Sequence, residues 1–269
     1  LKDSDDSILL VLSADHVIED IDALHQTIML ASEQAQRGKI VTLGVVPVNA
    51  NTGYGYIKYT KENNNSSYKV EEFVEKPDIK TAKLYLDQGN YLWNSGMFMF
   101  QASVLIDELK IYSPDIMTSV SNAVNNATKD LDFIRLEERA FVSSPTDSID
   151  YAIMERSKNV IVVPLNAGWS DIGTWSALYD AKAKDSQGNI IKGDVIVQET
   201  SNSLFHSNHH MIVAIGVDNL IVIGTPDATF IAPQDKSHEV KSVVESLELM
   251  GRSEGSLNRK VYRPWGWFD

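Results

Sequence analysis

The sequence predicts an α/β chain, with a mostly parallel mixed sheet covered by helices, followed by a smaller unit of short strands. β-Branched apolar runs alternate with helical patterns through the first two thirds, a rhythm that favours parallel strands joined by helical crossovers. From about Gly193 the pattern changes to closely spaced short strands with no helix between them, which marks an all-β unit. A length of 269 residues is enough for a sizeable core and divides naturally into two domains.

The first apolar run, "ILLVL" from Ile8 to Leu12, reads as a buried strand that ends in Ser13, Ala14, Asp15 and His16. A helix follows from about Asp20 to Arg37. It carries Ile21, Leu24, Ile28, Ala31 and Ala35 at three- and four-residue spacing, with Gly38 as its C-cap. "IVTLGVVPV" from Ile40 is the next strand, and "YGYIKY" and "VEEFVEKP" are two more, joined by the polar hairpin tip "TKENNNSSYK". Then come a helix near Thr81 to Leu86, the strand-like "LWNSGMFMF", and helices over Ala102 to Leu109 and Pro114 to Ala127. In "SIDYAIMERS" Ser148 can cap, while Ile149, Ala152, Ile153 and Arg156 hold helical spacing. "NVIVVPL" is a further buried strand.

A boundary is expected between Asp185 and Gly193, around "KDSQGN". Past it, "DVIVQE", "MIVAIGV", "LIVIGT" and "ATFIAP" are short strands turned by "VDN" and "TPD", and a helix runs from Ser237 to about Met250. The end, "GRSEGSLNRKVYRPWGWFD", reads as a linker into a truncated domain. The expected divisions are 1–188, 189–252 and 253–269. Because the numbering opens at Leu1 without an initiator Met, the chain is expected to start within a longer protein.

A formal net charge of -13 opposes nucleic acid, whose binders neutralise phosphates with clustered Lys and Arg. No run approaches the ~20 apolar residues of a membrane span, and no signal-type segment opens the chain, so a cytoplasmic protein is expected. Zero cysteines exclude disulfides, thiolate metal sites and a Cys nucleophile.

Two acids carry the first chemical signal. Asp15 follows one buried strand, and Asp171, in "GWSDIGTW", follows another; ligands of open α/β sheets sit outside the carboxyl ends of strands. Two bare carboxylates ~4 Å apart would cost ~4 kcal/mol at an effective dielectric of 20, so a cation belongs between them if they share a site. Mg²⁺, a hard ion that also holds substrate phosphates, suits an all-oxygen donor set. The plain alternative is helix capping, by Asp15 or Asp20 for the first helix and by Asp171 for the helix carrying Trp175 and Leu178.

In "FVEKP", Glu75 and Lys76 form either a surface ion pair or a sugar-hydroxyl acceptor beside a phosphate-binding lysine. "TGYGYI" offers Gly53, Tyr54 and Gly55, whose glycines let a flat ligand lie against backbone or serve an ordinary turn. In "WNSGMF", Asn94 and Ser95 are short polar groups in an apolar strand that need partners. The cluster "HSNHH", His206 to His210, reads as a solvated turn between strands rather than a metal site.

In order, "SADH", "TGYGYI", "FVEKP", "NSGMF", "DYAIME" and "GWSDIGTW" resemble the mannose-1-phosphate guanylyltransferases among the sugar-phosphate nucleotidyltransferases, over about Ile8 to Asp235. "VYRPWGWFD" is similar to the opening of the cupin-type phosphomannose isomerase domain of the bifunctional members. The resemblance implies a Rossmann-like nucleotidyltransferase domain followed by a left-handed β-helix-like domain. It implies synthesis of GDP-mannose, a precursor for polysaccharides, and of pyrophosphate from GTP and mannose 1-phosphate with Mg²⁺. Asp15 and Asp171 match the family's metal-binding aspartates; Gly55, Glu75 and Asn94 match sugar-pocket positions; Lys76 matches the lysine facing the sugar phosphate. Gly53, Tyr54 and Ser95 join the expected substrate site through their motifs, and a homodimer is compatible with this reading. The family's Gly-rich signature loop, GGxGxRLxPLS, is absent from these residues, so the chain alone is expected to be inactive or nearly so.

Overall fold

A computed structural model describes residues 6–61, 66–252, 261–263 and 266–268. The chain divides into two compact units, Leu1–Trp169 and Ser170–Asp269.

The first unit begins with strand β1 (Ile8–Val11), helix α1 (Ile21–Gln36), β2 (Ile40–Val45), β3 (Tyr56–Thr60) and β4 (Tyr68–Val74). It continues through α2 (Ile79–Gln88), β5 (Tyr91–Gln101), α3 (Ala102–Tyr112), α4 (Pro114–Asn125), β6 (Thr128–Asp130), β7 (Phe133–Arg135) and α5 (Glu138–Val142). A π-helical turn, Asp150–Met154, and strand β8 (Val160–Leu165) complete it.

The main sheet has the order β1-β5-β2-β8-β4-β3, with β3 also pairing back to β5. It is mixed, but with less parallel pairing than the alternating rhythm suggests. Among the described residues of this sheet only β2 and β8 pair in parallel; β5 runs antiparallel to β1, β2 and β3, and β4 runs antiparallel to β3 and β8. The physical reason is β5. It inserts between β1 and β2, so the helical crossover α1 joins two strands that share a direction without touching. The tip of the β3–β4 hairpin at 62–65 lies outside the described residues.

Pleating then sorts the core. Ile40, Phe98, Phe100, Val160 and Val162 face one cluster, shared with Ala152, Ile153 and Met154 of the π-helical turn. Their sequence neighbours Val41, Met97, Met99 and Val163 face a second cluster with Ala31 and Ala35 of α1, as the two-residue period of a strand requires. Small residues on α1 let it lie close to the sheet. β1 departs from the expected buried strand: it borders the sheet, with Leu9 and Val11 about two-fifths exposed and only Ile8 and Leu10 packed toward α1.

Local signals place the helices. Asp20 caps α1 by accepting from the Ala23 N–H at 2.9 Å. Asp78 caps α2 from Thr81 N–H at 2.8 Å, and α2 stops at Gly89 with φ 66°, a left-handed position that glycine tolerates. "SIDYAIMERS" forms the π-helical turn rather than an α-helix. The β6–β7 hairpin and α5 had no clear sequence signature.

The second unit holds α6 (Trp175–Ala181), β9 (Ile190–Gln198), β10 (Leu204–Ile215), β11 (Leu220–Gly224), β12 (Thr229–Pro233), a 3₁₀ turn (Gln234–Glu239) and α7 (Val240–Leu249). A short antiparallel pair follows, β13 (Val261–Arg263) and β14 (Gly266–Phe268). Strand β10 pairs in parallel with β9 on one side and β11 on the other, and β12 closes antiparallel on β11. The corners use left-handed residues, Asn202 at φ 47° and Asn219 at φ 59°. The expected linker residues 253–260 lie outside the described residues.

His206 to His210 lie within β10 rather than in a turn between strands. The ladder with β9 slips between Ser207 and Ile212, and this irregularity accommodates the polar residues that made the segment look like a loop.

Candidate active site

The main polar cluster of the first unit forms where the segment before β3, the end of β4 and the middle of β5 meet. Strand β4 ends at Val74, and the chain turns through Glu75 and Lys76. Lys76 sits at φ 47°, a left-handed conformation that costs a non-glycine residue ~1 to 2 kcal/mol and concentrates at functional sites. The turn folds the lysine back on its neighbour: Lys76 Nζ lies 2.7 Å from Glu75 Oε1. That contact chiefly raises the Lys76 pKa above the ordinary lysine value.

The Lys76 side chain is 61% exposed while that of Glu75 is only 9% exposed. The other carboxylate oxygen, Glu75 Oε2, is buried and has no hydrogen-bond partner. A buried acceptor left unmade is costly, so this oxygen marks a place for a donor. Gly55 makes room for it: a Cβ there would come within 2.4 Å of Glu75 Oε2. The Gly55 carbonyl accepts from the Asn94 N–H at 2.8 Å, which ties the segment before β3 to β5.

Asn94 is held at three points. Its Oδ1 accepts from Thr42 Oγ1 at 3.2 Å and from the Gly96 N–H at 3.1 Å, and its Nδ2 donates to Asp150 Oδ1 at 3.0 Å. The amide orientation follows from these bonds, because only an oxygen accepts from two donors and only the NH₂ donates to a carboxylate. Asp150, at the start of the π-helical turn, has its pKa raised first by burial and next by the charge of Glu75, against the hydrogen bond from Asn94. Asp150 lies within the "DYAIME" motif, where the sequence assigns it no role. Its one signal was an acid opening an otherwise apolar helical pattern. Glu155 accepts from the Glu75 N–H at 3.1 Å and fixes the turn from the same segment.

The other expected substrate residues lie differently. Gly53 belongs to a tight turn in which its N–H donates to Asn51 Oδ1 at 2.7 Å. Tyr54 packs edge-on against Trp93 and Trp169, with ring centroids 4.9 and 5.2 Å apart. Ser95 is buried, donating to the Leu43 carbonyl at 2.7 Å and accepting from the Met97 N–H at 3.3 Å, so its hydroxyl is used within the sheet. His16 Nδ1 accepts from Trp169 Nε1 at 3.1 Å, which sets the ring tautomer with its proton on Nε2.

Asp15 lies exposed in the loop after β1. It does not cap α1, since Asp20 does. In the second unit α6 is capped by Thr174, which accepts from the Ala177 N–H at 3.1 Å. Asp171 instead accepts from the Gly173 N–H at 3.0 Å, beside Ile172 at φ 46°, a strained position for a β-branched residue. Among the described residues no three His, Asp or Glu side chains gather as a metal cluster, and no helix is long and apolar enough to cross a membrane.

A mixed sheet carrying a partly buried carboxylate–amide cluster beside an exposed lysine, followed by a unit of parallel strands, defines an α/β protein with an appended β-helix-like unit. Residues 1–188 match the family model described as nucleotidyl transferase, and residues 193–247 match the MannoseP isomerase/GMP-like beta-helix domain. The chain belongs to the nucleotidyl transferase family. It is 48% identical over 269 residues to a mannose-1-phosphate guanylyltransferase of Salmonella montevideo, covering 98% of this chain and 57% of that protein. It is 44% identical over 271 residues to the alginate biosynthesis protein AlgA of Pseudomonas syringae pv. tomato, covering 100% of this chain and 56% of that protein. The chain thus spans little more than half the length of the curated relatives it matches. The crystal structure of a mannose-1-phosphate geranyltransferase from Thermus thermophilus superposes with a TM-score of 0.77 at 31% identity, over 90% of this chain and 70% of that one.

Proposed function

We propose that the chain supplies the sugar-phosphate end of a mannose-1-phosphate guanylyltransferase. A phosphate oxygen of mannose 1-phosphate attacks the α-phosphorus of GTP. The new O–P bond forms as the α–β phosphoanhydride bond breaks, giving GDP-mannose and pyrophosphate. The observation that carries this reading is the buried, unpartnered Glu75 Oε2 beside Gly55 and Asn94. A neutral polyol offers donors to such an oxygen, whereas an anion would be repelled by it. The relatives of this chain include mannose-1-phosphate guanylyltransferases along nearly its whole length, which supports mannose and GTP among the sugars and nucleotides.

Each residue then has a task. Glu75 accepts from sugar hydroxyls while Asn94, its amide oriented by Thr42, Gly96 and Asp150, offers its remaining N–H. Lys76, with a largely exposed side chain and with its charge favoured by Glu75, meets the phosphate of the sugar and holds the attacking oxygen in line. Asp15 and Asp171 are proposed as donors for Mg²⁺; their hard carboxylate oxygens fit that ion. Once bound, Mg²⁺ would supply charge neutralisation at the phosphates.

Pyrophosphate release by the full-length polypeptide carrying these residues, measured with GTP, ATP, UTP and dTTP against several hexose 1-phosphates, tests the reading. Preference for GTP with mannose 1-phosphate is expected. Equal rates with every pair, or none with any, would overturn it.

A further inference from the structure

We propose that Asp150 is a second sugar-reading carboxylate that contacts a ring hydroxyl directly, forming with Asn94 and Glu75 an acceptor–donor–acceptor row. This rests on the functional reading above and names the part of the substrate that the pocket recognises.

The hydrogen-bond inventory points there. Asn94 uses both lone-pair directions of its Oδ1 on Thr42 and Gly96 and one Nδ2 hydrogen on Asp150, so one donor remains on the amide. Glu75 uses Oε1 on Lys76 and leaves Oε2 buried without a partner. Asp150 accepts from Asn94 through Oδ1. Asp150 thus bonds the amide directly, Glu75 Oε2 and Asn94 Cβ both border the space beside Gly55, and the charge of Glu75 acts on Asp150. The row has more acceptors than donors, and the cation beside it, Lys76, is already paired with Glu75. Its complement is a neutral ligand rich in hydroxyl donors. Adjacent hydroxyls of a hexopyranose fit, one donating to each carboxylate and one of them accepting from Asn94.

The backbone supports a role beyond packing. Asp150 opens the π-helical turn, whose next apolar residues, Ala152, Ile153 and Met154, anchor in the core at 3% exposure or less. Such turns recur at functional sites; here the turn sets a carboxylate at the pocket while its far side stays fixed. Burial and the neighbouring Glu75 disfavour the charge of Asp150, while the Asn94 hydrogen bond and the Lys76 charge favour it.

The experiment uses Asp150→Ala and Asp150→Asn in the full-length polypeptide, with GTP and either mannose 1-phosphate or its monodeoxy analogues. Folding is checked by thermal unfolding, and Asp150→Asn, being isosteric, guards against loss of fold. With mannose 1-phosphate both variants should lose about 10- to 100-fold in kcat/KM. With the one analogue that lacks the hydroxyl Asp150 reads, parent and variants should agree within about threefold. Asn keeps an acceptor for Asn94, so recovery of parent activity in Asp150→Asn would overturn the proposal and leave Asp150 as a residue that only positions Asn94. An equal loss on every analogue would also overturn it. Absence of turnover in the parent with any hexose 1-phosphate would instead overturn the functional reading, and this assignment with it.

Discussion

Gly55→Ala perturbs the pocket with one carbon. The added Cβ would lie 2.4 Å from Glu75 Oε2 and 3.2 Å from Asn94 Cβ, so the carboxylate has to move from its place. The Glu75 side chain is only 9% exposed and is paired with Lys76 at 2.7 Å, which leaves it little room to yield. Overpacking costs ~1 to 3 kcal/mol, offset by the ~0.4 to 1 kcal/mol that Ala gains by restricting the unfolded chain. Gly55 is not among the left-handed residues, so no backbone strain is added. The net stability loss should therefore stay below about 3 kcal/mol. Function should suffer more selectively. A displaced Glu75 forfeits a charged hydrogen bond to sugar worth ~1.5 to 3 kcal/mol, or about 10- to 150-fold in kcat/KM for mannose 1-phosphate at ~1.4 kcal/mol per tenfold. The KM for GTP should remain within about twofold. Steady-state pyrophosphate release with each substrate varied in turn, alongside thermal unfolding, measures both. A folded variant with unchanged kcat/KM for mannose 1-phosphate would refute the assignment of Gly55 and Glu75 to the sugar.

Gly193→Ala should be far more damaging to structure, because its Cβ would fall 1.6 Å from the Ser207 carbonyl oxygen at a residue with φ 92°. A loss above ~3 kcal/mol is expected in chemical denaturation, read on the second unit's transition. Asp20→Ala removes the cap bond to the Ala23 N–H and should cost ~0.5 to 2 kcal/mol in unfolding of the first unit. Asp150→Asn should change the pH profile of stability in a set direction. Burial first, and Glu75 next, hold the Asp150 pKa above its reference of 3.8, so the folded state keeps its proton more tightly than the unfolded chain. Stability from this group is full below that reference and is lost as pH rises through the folded value. The asparagine variant should therefore gain on the parent as pH climbs through that window and lose the advantage below the reference of 3.8, as checked by thermal unfolding across pH.

Much of the fold was legible because its signals are local. Asp20, Gly38 and the spacing of Ala31 and Ala35 outline α1, and the change of strand spacing near Gly193 announces the short strands of the second unit. Strand direction was not legible. β5 reads like any apolar strand, and nothing local says that it inserts antiparallel between β1 and β2. Polar content also misled at His206 to His210, where an irregular ladder lets a strand carry a loop-like composition. At the candidate site, Asn94 stood out as a polar residue within an apolar strand, while Gly55, Glu75 and Lys76 stood out in short motifs at strand ends. Thr42 and Asp150 did not, since their part depends on long-range contacts with Asn94 across 52 and 56 residues. Ser95 shows the limit from the other side, a polar residue in the same motif whose hydroxyl serves the sheet.

The most direct test of the central claim is the affinity of the full-length polypeptide for mannose 1-phosphate with Glu75 replaced by glutamine, measured by calorimetry beside the affinity for GTP. At least about tenfold weaker sugar-phosphate binding is expected, from the loss of one charged hydrogen bond, with GTP binding unchanged. Equal mannose 1-phosphate affinity in parent and variant would contradict it.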